Sequence, residues 1–285
     1  MSNFCLKRHF EFCKPCIFTP IIFLTSDLEN LSFIGAGNVV WHLAPALEAA
    51  GHSVCEIAAR NANNATEIVR HLCNARIVNS LDFSRSRAGV FVIAVPDGIV
   101  PEIALNATFP PGAIVCHTSG TLPLSALKRF PKRGVFYPLQ TFTKGRPLDL
   151  SAVPFCIEAA DEATEKQLLA LARSVSQSVC RMDSEQRKTL HLAAVFAGNF
   201  TNHLLAVSKR IAEENNLPFD LLKPLVGETV AKALAAQDPA AVQTGPAVRR
   251  DEQTIKRHLQ ALQKHTLWRK IYRLLTESIQ GVSPR

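Results

Sequence analysis

The stretch "LSFIGAGNVVWHLAPALEAAGHSV" (Leu31 to Val54) reads as a strand, a glycine turn and a helix. "LSFIG" is short, apolar and closed by glycine, as a buried strand is. "VVWHLAPALEAAG" carries apolar residues at helical spacing and stops at Gly51. Gly35 permits a tight turn, and Gly37 lets backbone approach a pyrophosphate without a Cβ clash. The helix that follows offers its unpaired N–H groups and positive dipole end. On this reading Gly35, Ala36, Gly37, Asn38 and Val39 form a dinucleotide turn. The third small position of the fingerprint holds Val40, which implies a wider helix–strand crossing. Two glycines alone are a weak match, equally compatible with an ordinary βα junction.

The neighbouring strand ends add to it. "HSVCEIAAR" reads as the second strand, and its tip presents Arg60 and Asn61, with Glu56 earlier in the strand. An acidic tip suits the ribose hydroxyl of NAD, whereas a cationic one suits a 2′-phosphate, so NADP is the preferred cofactor, with NAD second. A plain surface charge at Arg60 is the competing reading. "AVPDGIV" puts Val95, Pro96 and Asp97 where another strand ends, beside the cofactor. "VCHTSGTLP" puts His117, Thr118 and Ser119 at the end of the next, as substrate or nicotinamide contacts or as an ordinary hydroxyl-rich turn. "FYPLQTF" ends a further strand, where Tyr137 and Gln140 would close the pocket floor.

From Leu31 to about Met182, apolar strands alternate with helices, the pattern of a mainly parallel sheet covered on both faces. After Asp183 every run has helical period. The expected organisation is therefore an extension over 1–30, an α/β Rossmann-like dinucleotide domain over 31–182, and an all-α domain over 183–285. The extension is Phe-rich and Pro-interrupted, too broken to span a bilayer. It reads as a poorly ordered tail or an upstream start.

In "SEQRKTLHLAAVFAGNFTNHLL", Lys188, His191, Asn199 and Asn202 fall at offsets 0, 3, 11 and 14, close to one line on a regular helix. Buried polar groups need partners, so the line should face a cleft or solvent. Reduction of a carbonyl or imine needs a proton donor, a part open to His191 or Lys188, with Asn199 hydrogen-bonding the same substrate. Half-exposed surface residues are the competing reading, and the stronger one for Lys188. "QTGPAVRRDEQTIKRHL" joins two helices. Asp251 is a good N-cap there, and Thr244, Arg249 and Arg250 gather where a carboxylate or phosphate would sit.

The net charge is +8, with nine Lys/Arg against three Asp/Glu from Gly245 onward. That excess fits a solvated helix face better than a nucleic-acid surface. Eight scattered cysteines suit reduced, buried thiols in the cytoplasm. Cys13 and Cys16, with His9 nearby, lack a second ligand pair, so no metal is expected.

"FIGAGNVV", "VIAVPDGIV", "HTSG", "YPLQTF", "HLAAVFAGNF" and "TGPAVRRD" together resemble the Rossmann-like oxidoreductases with a C-terminal helical domain of unknown function, relatives of pyrroline-5-carboxylate reductase. The resemblance covers Leu31 to about Leu275. It implies an NAD(P)-binding domain, a helical dimerisation domain and a cleft between them, with "TGPAVRRD" near that cleft. Tyr137 stands where histidine is expected, and the extension has no counterpart. The leading expectation is an NADP-dependent reductase of a small carboxylate-bearing imine or keto acid, acting as a homodimer with no membrane partner. The alternative is a non-catalytic NADP-binding regulator.

Overall fold

The computed structural model describes residues 28–282, so the extension up to residue 27, Cys13 and Cys16 included, lies outside the described residues. The chain divides into two compact units after Ala193.

The first unit is built on one eight-stranded sheet. Its strands are β1 (Asn30–Ile34), β2 (Ser53–Ala58), β3 (Arg76–Val78), β4 (Val90–Ile93), β5 (Ile114–His117), β6 (Arg133–Pro138), β7 (Phe155–Ala159) and β8 (Val179–Arg181). Their spatial order is β3-β2-β1-β4-β5-β6-β7-β8. All pairs are parallel except β6 with β7. The order reverses between β1 and β4, where crossovers leave on opposite faces and open a crevice above the strand ends. The sheet confirms the mainly parallel α/β expectation and adds two features: the antiparallel β6–β7 pair and the three-residue β3.

Alternation along the strands splits the core. Leu31, Phe33, Val90 and Val92 face one cluster, with α1 (Asn38–Ala49), α2 (Ala62–Val69) and α4 (Glu162–Arg173). Ile34, Phe91 and Ile93 face the other, with α3 (Val100–Asn106). In α1 the buried residues are Val40, Leu43, Ala44 and Leu47, spaced i, i+3, i+4, i+7. Val40 at the third fingerprint position is fully buried. It is a core residue there, which settles how the turn does without its last glycine.

Among the described residues, one helical stretch, Ser184–Glu213, is long and apolar enough to cross a membrane by length and composition. It comprises α5 (Ser184–Ala194), a π turn over Val195–Phe200, and α6 (Thr201–Glu213). The second unit continues with α7 (Lys223–Ala235), α8 (Glu252–Ala261) and α9 (Thr266–Val282). Described cysteines are all free; Cys116 and Cys156 are buried, but Cys180, expected inside, is exposed on the sheet-edge strand β8.

Candidate functional site

Gly35 ends β1 with φ +120, a conformation open chiefly to glycine. A Cβ there would lie 2.2 Å from the Ala94 carbonyl oxygen, so the turn and β4 touch because no side chain intervenes. Gly37 differs: its φ is −91, and a Cβ would meet nothing within 4 Å. It serves as N-cap of α1 without any side-chain hydrogen bond, and the first turn holds no acidic residue. Uncapped N–H groups thus front open space, a cradle that fits a pyrophosphate.

A groove of about 420 Å³ lies over these strand ends. Gly35, Ala36 and Gly37 line it from β1, Arg60 and Asn61 from β2, and Val95 and Pro96 from β4. Asn38, Val39 and Asp97 do not line it. Asn38 Nδ2 instead donates to the Phe142 carbonyl at 2.9 Å, and Val39 packs against the core. The Asp97 carboxylate accepts from the Thr121 hydroxyl. Asn64, Asn79, Ser80, Ile99 and Glu102 also line the groove and were not singled out from sequence.

Glu56 cannot serve as the ribose acid. Its carboxylate is tied to Ser32, Ser86 and Arg76. Burial pushes its carboxyl up, but those hydrogen bonds and the Arg76 charge outweigh it and hold the group below its ordinary value. The exposed tip of β2 is left with Arg60.

The polar cluster after β5 is more structural than its sequence suggests. His117 is fully buried, and its Nδ1 accepts from the Ser119 N–H at 3.2 Å. Burial, helped by the Arg187 charge, takes its pKa down to about 4, so the ring is neutral near pH 7. Thr118 is half-buried and donates its N–H to the Ile93 carbonyl at 3.1 Å. Ser119 Oγ accepts from the Thr121 and Leu122 N–H groups, closing a turn. Gln140 is exposed, with Oε1 accepting from the next N–H.

Gly120 leads to a different set of residues. Its missing Cβ would lie 2.5 Å from His191 Nδ1 and 2.9 Å from Tyr137 Cζ. Those two rings meet edge to face at 5.9 Å, and Tyr137 Oη lies 2.9 Å from His191 Nδ1. Burial pushes the Tyr137 hydroxyl up to about 12. The sequence suggested His191 and Tyr137 separately; the structure brings them together over Gly120.

α5, which carries His191, is anchored by Arg187. This fully buried guanidinium pairs with Glu158 of β7 and donates to the Leu122 carbonyl at 2.5 Å. Ser184 Oγ adds a bond to Glu158 at 2.9 Å. Lys188 is spent elsewhere, pairing with Glu185 at 2.7 Å on the half-exposed side of the helix. Asn199 sits in the π turn of the second unit. A π turn takes about one residue more than an α turn, so residues beyond it are rotated by up to about 100°. The straight line of four polar residues assumes a single helical period, which the π turn does not keep.

In the second unit, Asp251 caps α8 through the Thr254 N–H at 3.0 Å. The turn before it bends at Gly245 (φ 111) and at Arg250 (φ 54). Thr244, Arg249 and Arg250 share that turn. Among the described residues, no group of three or more His, Cys, Asp or Glu could hold a metal ion.

A parallel sheet with its order reversed at β1, an uncapped glycine turn and a groove over the strand ends define a dinucleotide-binding protein of the Rossmann type. A Rossmann-like domain model matches residues 25–141, and a domain of unknown function, DUF2520, matches residues 153–279. A candidate NADP oxidoreductase from Bacteroides fragilis is 35% identical, with a TM-score of 0.81 over 89% of this chain and 98% of that one. A Thermotoga maritima protein is 25% identical, with a TM-score of 0.68 over 88% and 99% of the two chains. A 1-pyrroline-5-carboxylate reductase from Streptococcus pyogenes, at 10% identity, shares the fold, with a TM-score of 0.58 over 90% and 100%. No curated protein matches the chain. The chain belongs to the family of Rossmann-like NAD(P)-dependent oxidoreductases with a C-terminal DUF2520 domain.

Proposed function

We propose that the protein is an NADP-dependent reductase of a small carboxylate-bearing substrate, a cyclic imine or a 2-keto acid. The observation carrying this reading is the uncapped helix start behind Gly37, beside a β2 tip that offers Arg60 and no free carboxylate. NADPH supplies the hydride when bound. Gly35 to Gly37 and the first N–H groups of α1 take the pyrophosphate, and Arg60 with Asn61 takes the 2′-phosphate. Charge that develops on the substrate oxygen or nitrogen needs a proton, which the His191 imidazolium delivers. Arg249 and Arg250 hold the carboxylate, and Thr244 and Asn199 add hydrogen bonds.

The helical unit is proposed as the substrate and dimerisation domain, paired with a second copy of the chain. Its support is composition at the surface: Phe196, Leu221, Leu225, Leu234, Leu267 and Leu274 are each at least 63% exposed. A unit with so much uncovered apolar surface gains by association. The free thiols of the described part of the first unit suit the cytoplasm.

The test is NADPH fluorescence titration followed by an absorbance screen against imines and keto acids. The expected outcome is tighter binding of NADPH than NADH, reversed in Arg60→Asp, and turnover on at least one carboxylate-bearing compound. His191→Ala should lower kcat by about 10²–10⁴-fold with the Kd for NADPH kept. A broad panel in which nothing oxidises NADPH would end the reductase reading.

A further inference from the structure

We propose that Tyr137 is a positioning residue that holds the His191 imidazole with Nδ1 turned into the protein, so that Nε2 is the ring atom offered to a substrate. The proposal rests on the reductase reading for its consequence and on geometry for its existence.

Three separate segments fix the ring. Tyr137 stands on β6, 8% exposed, in a cluster with Val135 and Cys156 against which Leu139, Met182 and Leu190 pack. Its hydroxyl meets Nδ1 at 2.9 Å. Gly120, from the loop after β5, lies against the same edge of the imidazole: an added Cβ would come within 2.5 Å of Nδ1 and 2.7 Å of Cγ. One turn earlier on α5, buried Arg187 fastens the helix to Glu158. Among the described residues, Nε2 makes no hydrogen bond.

The chemistry follows from what a phenol can do. Burial raises the Tyr137 hydroxyl to about 12, so it keeps its proton near neutral pH. Against a neutral imidazole the phenol donates to Nδ1, which leaves the ring proton on Nε2. When the ring is imidazolium, Nδ1–H donates to the phenol oxygen, and Nε2–H is the proton free to leave. It passes to the substrate oxygen or nitrogen as hydride reaches the adjacent carbon. The C=O or C=N π bond breaks, one C–H and one O–H or N–H bond form, and the imidazole returns to neutral. Tyr137 serves as donor or acceptor and remains a phenol throughout.

The experiment is long-range ¹H–¹⁵N correlation on the full-length protein with ¹⁵N-labelled histidine, His191 being assigned by its loss in His191→Ala. With the ring neutral, the expected signature is protonated Nε2 and bare Nδ1. In Tyr137→Phe it becomes a mixture of both tautomers. The same variant should lower kcat by about tenfold to a hundredfold, less than loss of the general acid itself, while KM and the Kd for NADPH hold. Protonated Nδ1 with bare Nε2 in the neutral ring of the wild-type protein overturns donation by Tyr137, and with it the proton on Nε2, and leaves the reductase reading untouched; this spectrum decides even if Tyr137→Phe does not fold. Unaltered kcat and tautomer in a folded Tyr137→Phe also overturn it. Full turnover in His191→Ala, with the expected wild-type tautomer, overturns the catalytic consequence and leaves the reductase reading standing; a panel in which nothing oxidises NADPH overturns that reading instead.

Discussion

Gly35 and Gly37 share a motif but answer to different demands. Gly35 is a folding residue: its φ is +120, and its missing side chain lets β1 and β4 close at the Ala94 carbonyl. Gly35→Ala should therefore cost more than about 2 kcal/mol, seen as a lower urea midpoint. Gly37 has an ordinary φ and an open front, so Gly37→Ala should leave stability within about 0.5 kcal/mol of wild type. Its effect should appear as weaker NADPH binding, where the new methyl group meets phosphate. Equal loss of stability in the two variants would refute the distinction. The motif itself was legible because strand, glycines and helix agree within a few residues. The His191–Tyr137 pair was not, because its partners are 54 residues apart and only the sheet brings them together.

At the level of elements, α5 shows how a charged sequence can hide an anchor. "SEQRK" reads as a solvated first turn, yet Arg187 is fully buried against Glu158. Nothing local distinguishes it from Lys188, which does lie on the half-exposed side. Arg187→Ala would strand Glu158, 17% exposed, without its partner, at a cost of about 3–5 kcal/mol in urea unfolding. Because α5 carries His191, turnover should fall with it; an unchanged unfolding midpoint would deny the anchor. β3 was missed for another reason: three residues, Arg76–Val78, are too few to display a period. With the strand unseen, Asn79 and Ser80 just beyond it, which line the groove, had no address. The π turn is likewise invisible to spacing rules that assume a single helical period.

For the whole molecule, the alternation of strands and helices foretold the sheet, but periodicity carries no strand direction. The antiparallel β6–β7 pair therefore came only with the fold. Periodicity marks which helix faces are apolar, not what covers them, and in the second unit Ala212 and Ala247 are the only buried apolar residues among those described. Sedimentation equilibrium should give twice the 31.3 kDa chain mass. Leu225→Asp, at a side chain now 63% exposed, should shift that mass toward one chain. A wild-type protein that stays monomeric at micromolar concentration would refute the pairing.

The contact at Gly120 has a consequence for divergence. A methyl group at position 120 would overlap both rings, so positions 120, 137 and 191 cannot drift independently. Relatives that carry a larger residue at the equivalent of 120 should have lost or displaced the histidine or the tyrosine, while those that keep both rings should keep the glycine. Ancestry could then be followed at this corner as one inherited unit of three residues, each tolerating change only after another has moved.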